Sequence, residues 1–101
     1  MKTTITFKQI DPSETVKEYF EEKAERIAKY DLKAMELHVT LTKDKHLHKA
    51  EAVLTAKDFR SHTEGAMEDV YASIHDALAK IEKQLQKRTT KIKRARTSIT
   101  V

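Results

Sequence analysis

Residues 67–96, MEDVYASIHDALAKIEKQLQKRTTKIKRAR, are the longest periodic segment of the chain, and the other elements are organised around it. When they are placed on a helical wheel at about 100° per residue, the apolar side chains fall in one arc. That arc holds Val70, Ile74, Ala77, Leu78, Ile81, Leu85 and Ile92. A second, narrow arc roughly opposite holds Lys80, Lys83, Lys87, Lys91 and Arg94. The pattern predicts a long helix that covers a core with one face and offers the other to an anion.

The positive charge of the chain is concentrated in the same helix. From Lys80 to Val101 eight basic residues stand against Glu82 alone, a net charge of +7, so that the first 79 residues sum to −3 in a chain of net charge +4. A basic rod on a mildly acidic body indicates nucleic acid or an anionic surface as partner. A lysine-rich face can also be ordinary solvated surface. However, same-sign groups in one arc repel each other, which favours a nucleic-acid ligand over that alternative.

Length and composition limit the classes of protein that fit. A chain of 101 residues forms one small domain, which we expect to cover residues 1–94, followed by a short tail, 95–101, that can fray. No apolar run approaches the ~18 residues of a membrane span, and the N-terminal residues alternate in polarity instead of forming a signal-peptide core. The absence of cysteine excludes disulfides, thiolate catalysis and zinc–thiolate sites. We therefore expect a cytoplasmic protein.

The segments before this helix alternate between strand and helix patterns. Residues 2–8 alternate strictly, with Ile5 and Phe7 on one side, which predicts a half-buried strand. A first helix then runs to about Tyr30, and either Asp11 or Ser13 is suited to cap it. Its apolar arc holds Val16, Tyr19, Phe20, Ala24, Ile27 and Tyr30, and its acidic back holds Glu14, Glu18, Glu21, Glu22 and Glu25. That back would repel phosphates, so it is expected to face away from nucleic acid.

Three further strands are predicted between the helices. Strand two alternates through residues 37–42, residues 43–46 turn the chain, and strand three begins near His48. A tight turn at Lys57-Asp58 leads to a short fourth strand over 59–63. The alternation leaves one apolar sheet face, made of Ile5, Phe7, Leu37, Val39, Leu41, Ala52 and Leu54. Two helices must cover this face, while the other face stays polar and open.

The order of elements is β-α-β-β-β-α, which predicts an α+β two-layer sandwich with two helices on one face of a four-stranded sheet. The sole glycine, Gly65, is expected to break the chain before helix two, and Glu68 and Asp69 are expected in the first turn of that helix. The double-stranded-RNA-binding domain has a similar α-β-β-β-α arrangement, although it carries lysines at the start of its last helix.

Candidate sites other than the basic arc are few. Lys23 lies within the apolar arc of helix one and Arg26 at its edge. Either their stems pack while the charges reach water, or they make a second phosphate contact beside helix two. His46 and His48, with His62 as a third ligand, suggest a metal site only weakly, and structural or solvated histidines are the commoner alternative. No phosphate loop or nucleophile elbow is present, so we predict no catalytic residue, no cofactor and no enzyme activity.

Residues 68–74, EDVYASI, and 78–87, LAKIEKQLQK, resemble the helix signature of the ribosome hibernation promoting factors and the related ribosome-associated inhibitor A, a family also labelled sigma-54 modulation protein or S30EA ribosomal protein. The resemblance spans about residues 3–93. Val70 and His75 depart from it, standing where the family usually has methionine and aspartate. Matches outside this helix are Ser13, Glu14, Lys23, Tyr30, His48, Ala52, Leu54 and His62.

The resemblance implies the β-α-β-β-β-α fold and a function in ribosome hibernation and translation inhibition. Its partners would be the 30S subunit and the 70S ribosome, with 16S rRNA bound in the mRNA and tRNA channel and no membrane or small-molecule substrate. By position, the implied RNA-binding residues are Lys23, Arg26, Lys80, Lys83, Lys87, Arg88 and Lys91, and the basic arc adds Arg94. Asp69 and Tyr71 are assigned to helix start and packing.

Two further expectations complete the sequence-based hypothesis. The resemblance is to a short form, so we expect a monomer off the ribosome. The alternative function is a structural or protein-interaction module whose basic helix binds an acidic protein or another nucleic acid. A membrane-surface role is disfavoured because the apolar arc is needed to cover the sheet.

Overall fold

A computed structural model describes the backbone of residues 1–100 and the side chains of residues 1–88. In chain order the elements are β1 (Lys2–Phe7), α1 (Glu14–Ala28), β2 (Glu36–Asp44), β3 (Leu47–Ala56), β4 (Phe59–Met67) and α2 (Val70–Thr100). This confirms the predicted order and the two-layer α+β class. The predictions for the side chains of Lys91, Ile92 and Arg94, and for a tail at 95–101, lie outside the described side chains.

The sheet has the strand order β1-β2-β3-β4, so β1 and β4 are its edges. β1 runs parallel to β2, whereas β2–β3 and β3–β4 are antiparallel. At the two ends of β1, the Lys2 N–H donates to the Met35 carbonyl at 3.2 Å and the Lys8 N–H to the Leu41 carbonyl at 2.9 Å. Because alternate residues of a parallel strand bond to the same neighbour, the backbone polar groups of Thr3, Ile5 and Phe7 face outward at the open edge.

Among the residues whose side chains are described, one core lies between the sheet and the two helices. Its buried sheet residues are Leu37, Val39, Leu41, Ala50, Ala52 and Leu54, and its buried helix residues are Val16, Phe20, Ala24, Ile27, Ile74, Ala77, Leu78, Ile81 and Leu85. These are the residues that alternation in the strands and the 3.6-residue period in the helices place on one side. The two predicted apolar arcs are therefore confirmed over the described residues. Ile5, Phe7, Tyr19 and Tyr30 pack at the margin of the core.

Gly65 does not break the chain, contrary to the sequence-based expectation. β4 continues past Thr63 to Met67, and Gly65 is a buried strand residue opposite Ala50. A Cβ at Gly65 would lie 3.0 Å from the Ala77 nitrogen and nearer still to the Ser73 carbonyl oxygen, both backbone atoms of α2. The glycine therefore lets the backbones of α2 and β4 touch. Close approach of another backbone is one of the reasons for a glycine inside a strand.

The helix ends are set by side-chain caps. The Ser13 hydroxyl accepts the Val16 N–H at 3.3 Å, so Ser13 rather than Asp11 caps α1. Asp69 precedes α2 instead of lying in its first turn: its carboxylate accepts the Tyr71 N–H at 3.1 Å, and its carbonyl accepts the Ser73 N–H at 3.1 Å. Asp69 is thus an N-cap, which corrects the predicted helix start and places Glu68 outside the helix as well.

Tyr71 belongs to the packing between the helices, as predicted. Its ring meets the Tyr19 ring edge to face, with centroids 5.1 Å apart. Its hydroxyl donates to the Thr15 hydroxyl at 3.2 Å. These contacts join the N-terminal halves of α1 and α2 and so fix the two helices relative to each other at one end.

Candidate nucleic-acid interface

The candidate site is a groove of about 360 Å³ where α1 and α2 lie side by side. It is lined by Lys23, Arg26 and Ile27 from α1 and by His75, Leu78, Ala79, Glu82, Lys83 and Gln86 from α2. The α2 residues recur at three- and four-residue intervals, so they form one stripe beside the apolar arc. Ile27 and Leu78 are buried and make an apolar floor, whereas the charged groups stand at the rim.

Lys23 brings a cation from α1 to this groove. The side chain is half-buried, and its ammonium lies 5.4 Å from the centroid of the Tyr19 ring, within the range of a cation–π contact. The stem therefore packs against the protein, in line with the first alternative for this residue. The ammonium nevertheless stays beside the groove, where an anion can reach it.

Arg26 and Glu82 connect the two helices beside the groove. A guanidinium nitrogen of Arg26 lies 3.3 Å from a carboxylate oxygen of Glu82, and the two side chains are 63% and 20% exposed. An exposed pair of this kind contributes about 0–1 kcal/mol to stability. Glu82 also offsets the charge of one of the cations gathered at the groove. A guanidinium has donors to spare, so Arg26 can hold Glu82 and a second acceptor together.

Lys80 is oriented differently from Lys23, Arg26 and Lys83, which line the groove. Its ammonium donates to the Glu64 carbonyl at 2.8 Å and lies 2.9 Å from the Asp76 carboxylate. These contacts tie α2 to β4 and point the side chain away from α1. Lys83 and Lys87 are exposed, and no such contact to β4 is found for either of them.

Arg88 lies on the sheet side of α2. It is half-buried, and its guanidinium carbon is 5.7 Å from the centroid of the Phe59 ring. The structure therefore brings Lys23, Arg26 and Lys83 together around one groove and places Arg88 near the start of β4. The predicted contribution of Lys91 and Arg94 lies outside the described side chains.

The groove contains residues that the sequence-based prediction did not select. His75, Ala79, Glu82 and Gln86 line it but were not proposed as site residues. Their only sequence signal is their spacing, which forms a stripe between the apolar and basic arcs. That stripe becomes a site only because α1 packs alongside it.

The histidines do not gather as a metal site. His48 donates from Nδ1 to the Glu68 carbonyl at 2.7 Å. This hydrogen bond links β3 to the turn between β4 and α2, so the role of His48 is structural. On the open sheet face, Glu51, His62 and Glu64 bring one ligand atom each to within 4.8 Å of one another. The Lys49 ammonium already lies 3.3 Å from Glu51 and 3.5 Å from Glu64. Its single positive charge offsets one of the two negative charges and lies where a metal cation would contact both carboxylates.

This lysine shows the electrostatic effect of the pair. The hydrogen bond to Glu51, followed by the attraction of the Glu64 and Glu51 charges, raises the pKa of Lys49 above its usual value. The sheet register explains the cluster, since Glu51 and Glu64 are direct cross-strand partners.

Within residues 1–100, no helix is long and apolar enough to cross a membrane.

Comparison with known proteins identifies the family. Residues 3–93 match the family described as Sigma 54 modulation protein / S30EA ribosomal protein, and the chain belongs to it. Among its relatives, the ribosome hibernation promoting factor of Escherichia coli K12 is 26% identical over 93 residues, which span 92% of this chain and 98% of the relative. The Shigella flexneri protein of the same name matches with the same figures.

Solved structures show the same fold. The N-terminal domain of Thermus thermophilus Protein Y superposes with a TM-score of 0.79 at 20% identity, covering 86% of this chain and 98% of that domain. A ribosomal subunit interface protein from Coxiella burnetii gives a TM-score of 0.77 at 19% identity, covering 89% and 99%. The predicted resemblance and the predicted fold are both confirmed.

Proposed function

We propose that this chain is a cytoplasmic ribosome hibernation factor that binds idle ribosomes and inhibits translation. Its target is 16S rRNA of the 30S subunit, alone or within the 70S ribosome, in the channel that mRNA and tRNA use. The observation that carries the proposal is the meeting of cations from two helices, Lys23, Arg26 and Lys83, at one groove. The family membership and the name of the Escherichia coli relative support the ribosome as partner.

The charge distribution indicates how the domain would face RNA. Lys83 and Lys87 are one turn apart on α2, a rise of about 6 Å, so both follow the helix axis and can meet a phosphate chain. The far side of α1 is acidic, with Glu14, Glu18, Glu21, Glu22 and Glu25 exposed. Phosphates are attracted to the groove side and repelled from that back. We therefore place the α1–α2 groove and the exposed side of α2 against the RNA.

The proposal also covers cofactors, oligomeric state and the two cations on the sheet side of α2. Basic side chains bind phosphates without a metal or a cofactor, so the proposed activity is binding and not catalysis. We propose that the free protein is a monomer, since the groove is formed by one copy. Lys80 and Arg88 lie on the sheet side of α2, and we propose that their contacts to β4 hold the helix in place.

Sedimentation with ribosomes tests the proposal. The double variant Lys83→Gln/Lys87→Gln removes two exposed cations and keeps helix propensity. We expect it to leave 30S and 70S particles at lower salt than the wild type, with a slope of log K against log[salt] flatter by about 1.4, at about 0.7 per phosphate contact. The matched control Lys17→Gln/Lys57→Gln removes the same charge from exposed positions outside the groove.

The outcomes separate the hypotheses. Control and wild type should bind alike, and thermal melting should show that all three proteins are folded. If the Lys83/Lys87 variant binds with wild-type affinity and slope, the basic face is ordinary solvated surface. If the wild type does not sediment with ribosomes but captures acidic proteins, the protein-interaction alternative is correct.

A further inference from the structure

We infer that the groove between α1 and α2 binds a single unstacked nucleobase, so that the chain selects bulged or looped RNA over continuous duplex. The inference rests on the proposed RNA-binding function and specifies the kind of RNA that the same site takes. It is carried by three features of the groove, namely its size, its apolar floor and the chemistry of its rim.

The size and floor fit a base better than a phosphate. The groove, about 360 Å³, is near the lower end of the ~300–1,000 Å³ typical of small-ligand sites. Its floor is the apolar surface of Ile27, Leu78 and Ala79. Phosphate binding needs only cations on a convex helix and gains nothing from apolar surface below them. Ile27 and Leu78 are already buried by the protein, so a flat ring on this floor would gain chiefly by removing the exposed Ala79 side chain from water.

Ala79 is the residue that keeps the groove open. It is exposed and lies one turn from both His75 and Lys83 on the same stripe of α2. A longer side chain at this position would lie on the floor and fill the space between the helices. The small residue at the centre of a cationic rim thus makes room for a ligand group.

The rim has the polar groups that a nucleotide requires. Lys23 on α1 and Lys83 on α2 offer cations on opposite sides for the flanking phosphates. The Glu82 carboxylate has two acceptor oxygens, so it can accept a hydrogen bond from a base edge as well as from Arg26. Arg26 presents a planar guanidinium beside Glu82, and such planes stack on unpaired bases.

The same reasoning disfavours a continuous duplex as the occupant. In A-form RNA the bases are stacked inside the helix, and only phosphates and 2′-hydroxyls reach a shallow surface. A duplex would therefore use the cations at the rim and leave the apolar floor unfilled. Bulges and loops supply a base that can leave the stack at low cost.

Two RNAs and three proteins test the inference. The RNAs are a continuous duplex and the same duplex with one bulged 2-aminopurine, whose fluorescence reports its stacking. The proteins are the wild type, Ala79→Leu, which fills the groove without changing charge, and the matched control Ala66→Leu at an exposed position of β4. We expect the wild type and the control to prefer the bulged RNA by about five- to tenfold, the lower end of what the stacking of one base contributes.

Ala79→Leu should lose this preference and the fluorescence change, so that it binds the bulged RNA and the duplex equally. Ala79→Gln, which also fills the groove and favours helix, serves as a second variant if Ala79→Leu does not fold. The inference is overturned if the wild type binds both RNAs with equal affinity, or if it binds neither RNA. It is also overturned if the preference for the bulged RNA survives in both Ala79 variants. Ribosome sedimentation of the same samples tells the two proposals apart. A wild type that sediments but shows no bulge preference contradicts the base site and leaves the ribosome function standing.

Discussion

Replacing Gly65 with alanine tests the contact that seats α2 on the sheet. The new Cβ would lie 3.0 Å from the Ala77 nitrogen and 3.1 Å from the Asp76 Cβ, with the Ser73 carbonyl oxygen closer again. Two of these are backbone atoms, which cannot rotate away, so the whole helix has to move. Overpacking typically costs about 1–3 kcal/mol, and a backbone clash belongs at the upper end.

The gain from removing a strand glycine offsets part of this cost. Alanine is favoured over glycine by roughly 0.5–1 kcal/mol inside a strand, which leaves a net loss of about 2 kcal/mol for Gly65→Ala. In a domain of this size, each kcal/mol shifts the melting temperature by about 4–8 °C, so we expect a fall of about 8–16 °C. Urea denaturation followed by circular dichroism should show the same loss with little change in the m-value.

A neighbouring substitution is the matched control. Ala66 is exposed on the open face, so Ala66→Val should stay within about 0.5 kcal/mol of the wild type. If Gly65→Ala is as stable as the wild type, α2 does not rest on β4 at this point. If Ala66→Val is instead the destabilised variant, the two faces of β4 have been assigned the wrong way round.

The remaining predictions concern charge, capping and competition. Glu82→Gln should strengthen RNA binding about two- to fivefold at low salt and less at high salt, measured by RNA titration, because it removes the anion of the groove. Asp69→Ala should cost about 1 kcal/mol in a thermal melt, whereas Asp69→Asn should retain most of the cap. Lys49 has a raised pKa, so its stabilising contribution is complete below the unfolded value of about 10.4 and is lost as pH rises through the folded value. The melting temperatures of wild type and Lys49→Gln should therefore converge only in strongly alkaline buffer. Added protein should reduce initiator tRNA and mRNA binding to 30S subunits, and undiminished binding at saturation would contradict the proposed channel.

Periodicity was sufficient to predict most of the fold. Leu37, Val39 and Leu41 alternate with polar residues, and this alone places them on the buried face where they are found. The end of β4 was missed because residues 64–66, Glu-Gly-Ala, contain no β-branched or aromatic residue. A lone glycine before a helix looks like a break, and its role in close packing is visible only once β4 is paired with β3.

The candidate site was harder to predict because it depends on two helices at once. The helical wheel identified Lys83 and Lys87 as exposed cations, and the structure agrees. It also grouped Lys80 with them, since a wheel cannot show that the Glu64 carbonyl lies within reach of this ammonium. The groove requires α1 beside α2, and no pattern within one segment contains that relation.

The open edge of β1 has a consequence for solubility. Its outward-facing backbone groups at Thr3, Ile5 and Phe7 would let a second copy add a strand and extend the sheet. If two such edges met antiparallel about Ile5, Lys2 of each copy would stand opposite Lys8 of the other. The repulsion between these lysines disfavours association of copies through their β1 edges. Neutral substitutions at Lys2 and Lys8 should therefore cause precipitation at high protein concentration without weakening RNA binding.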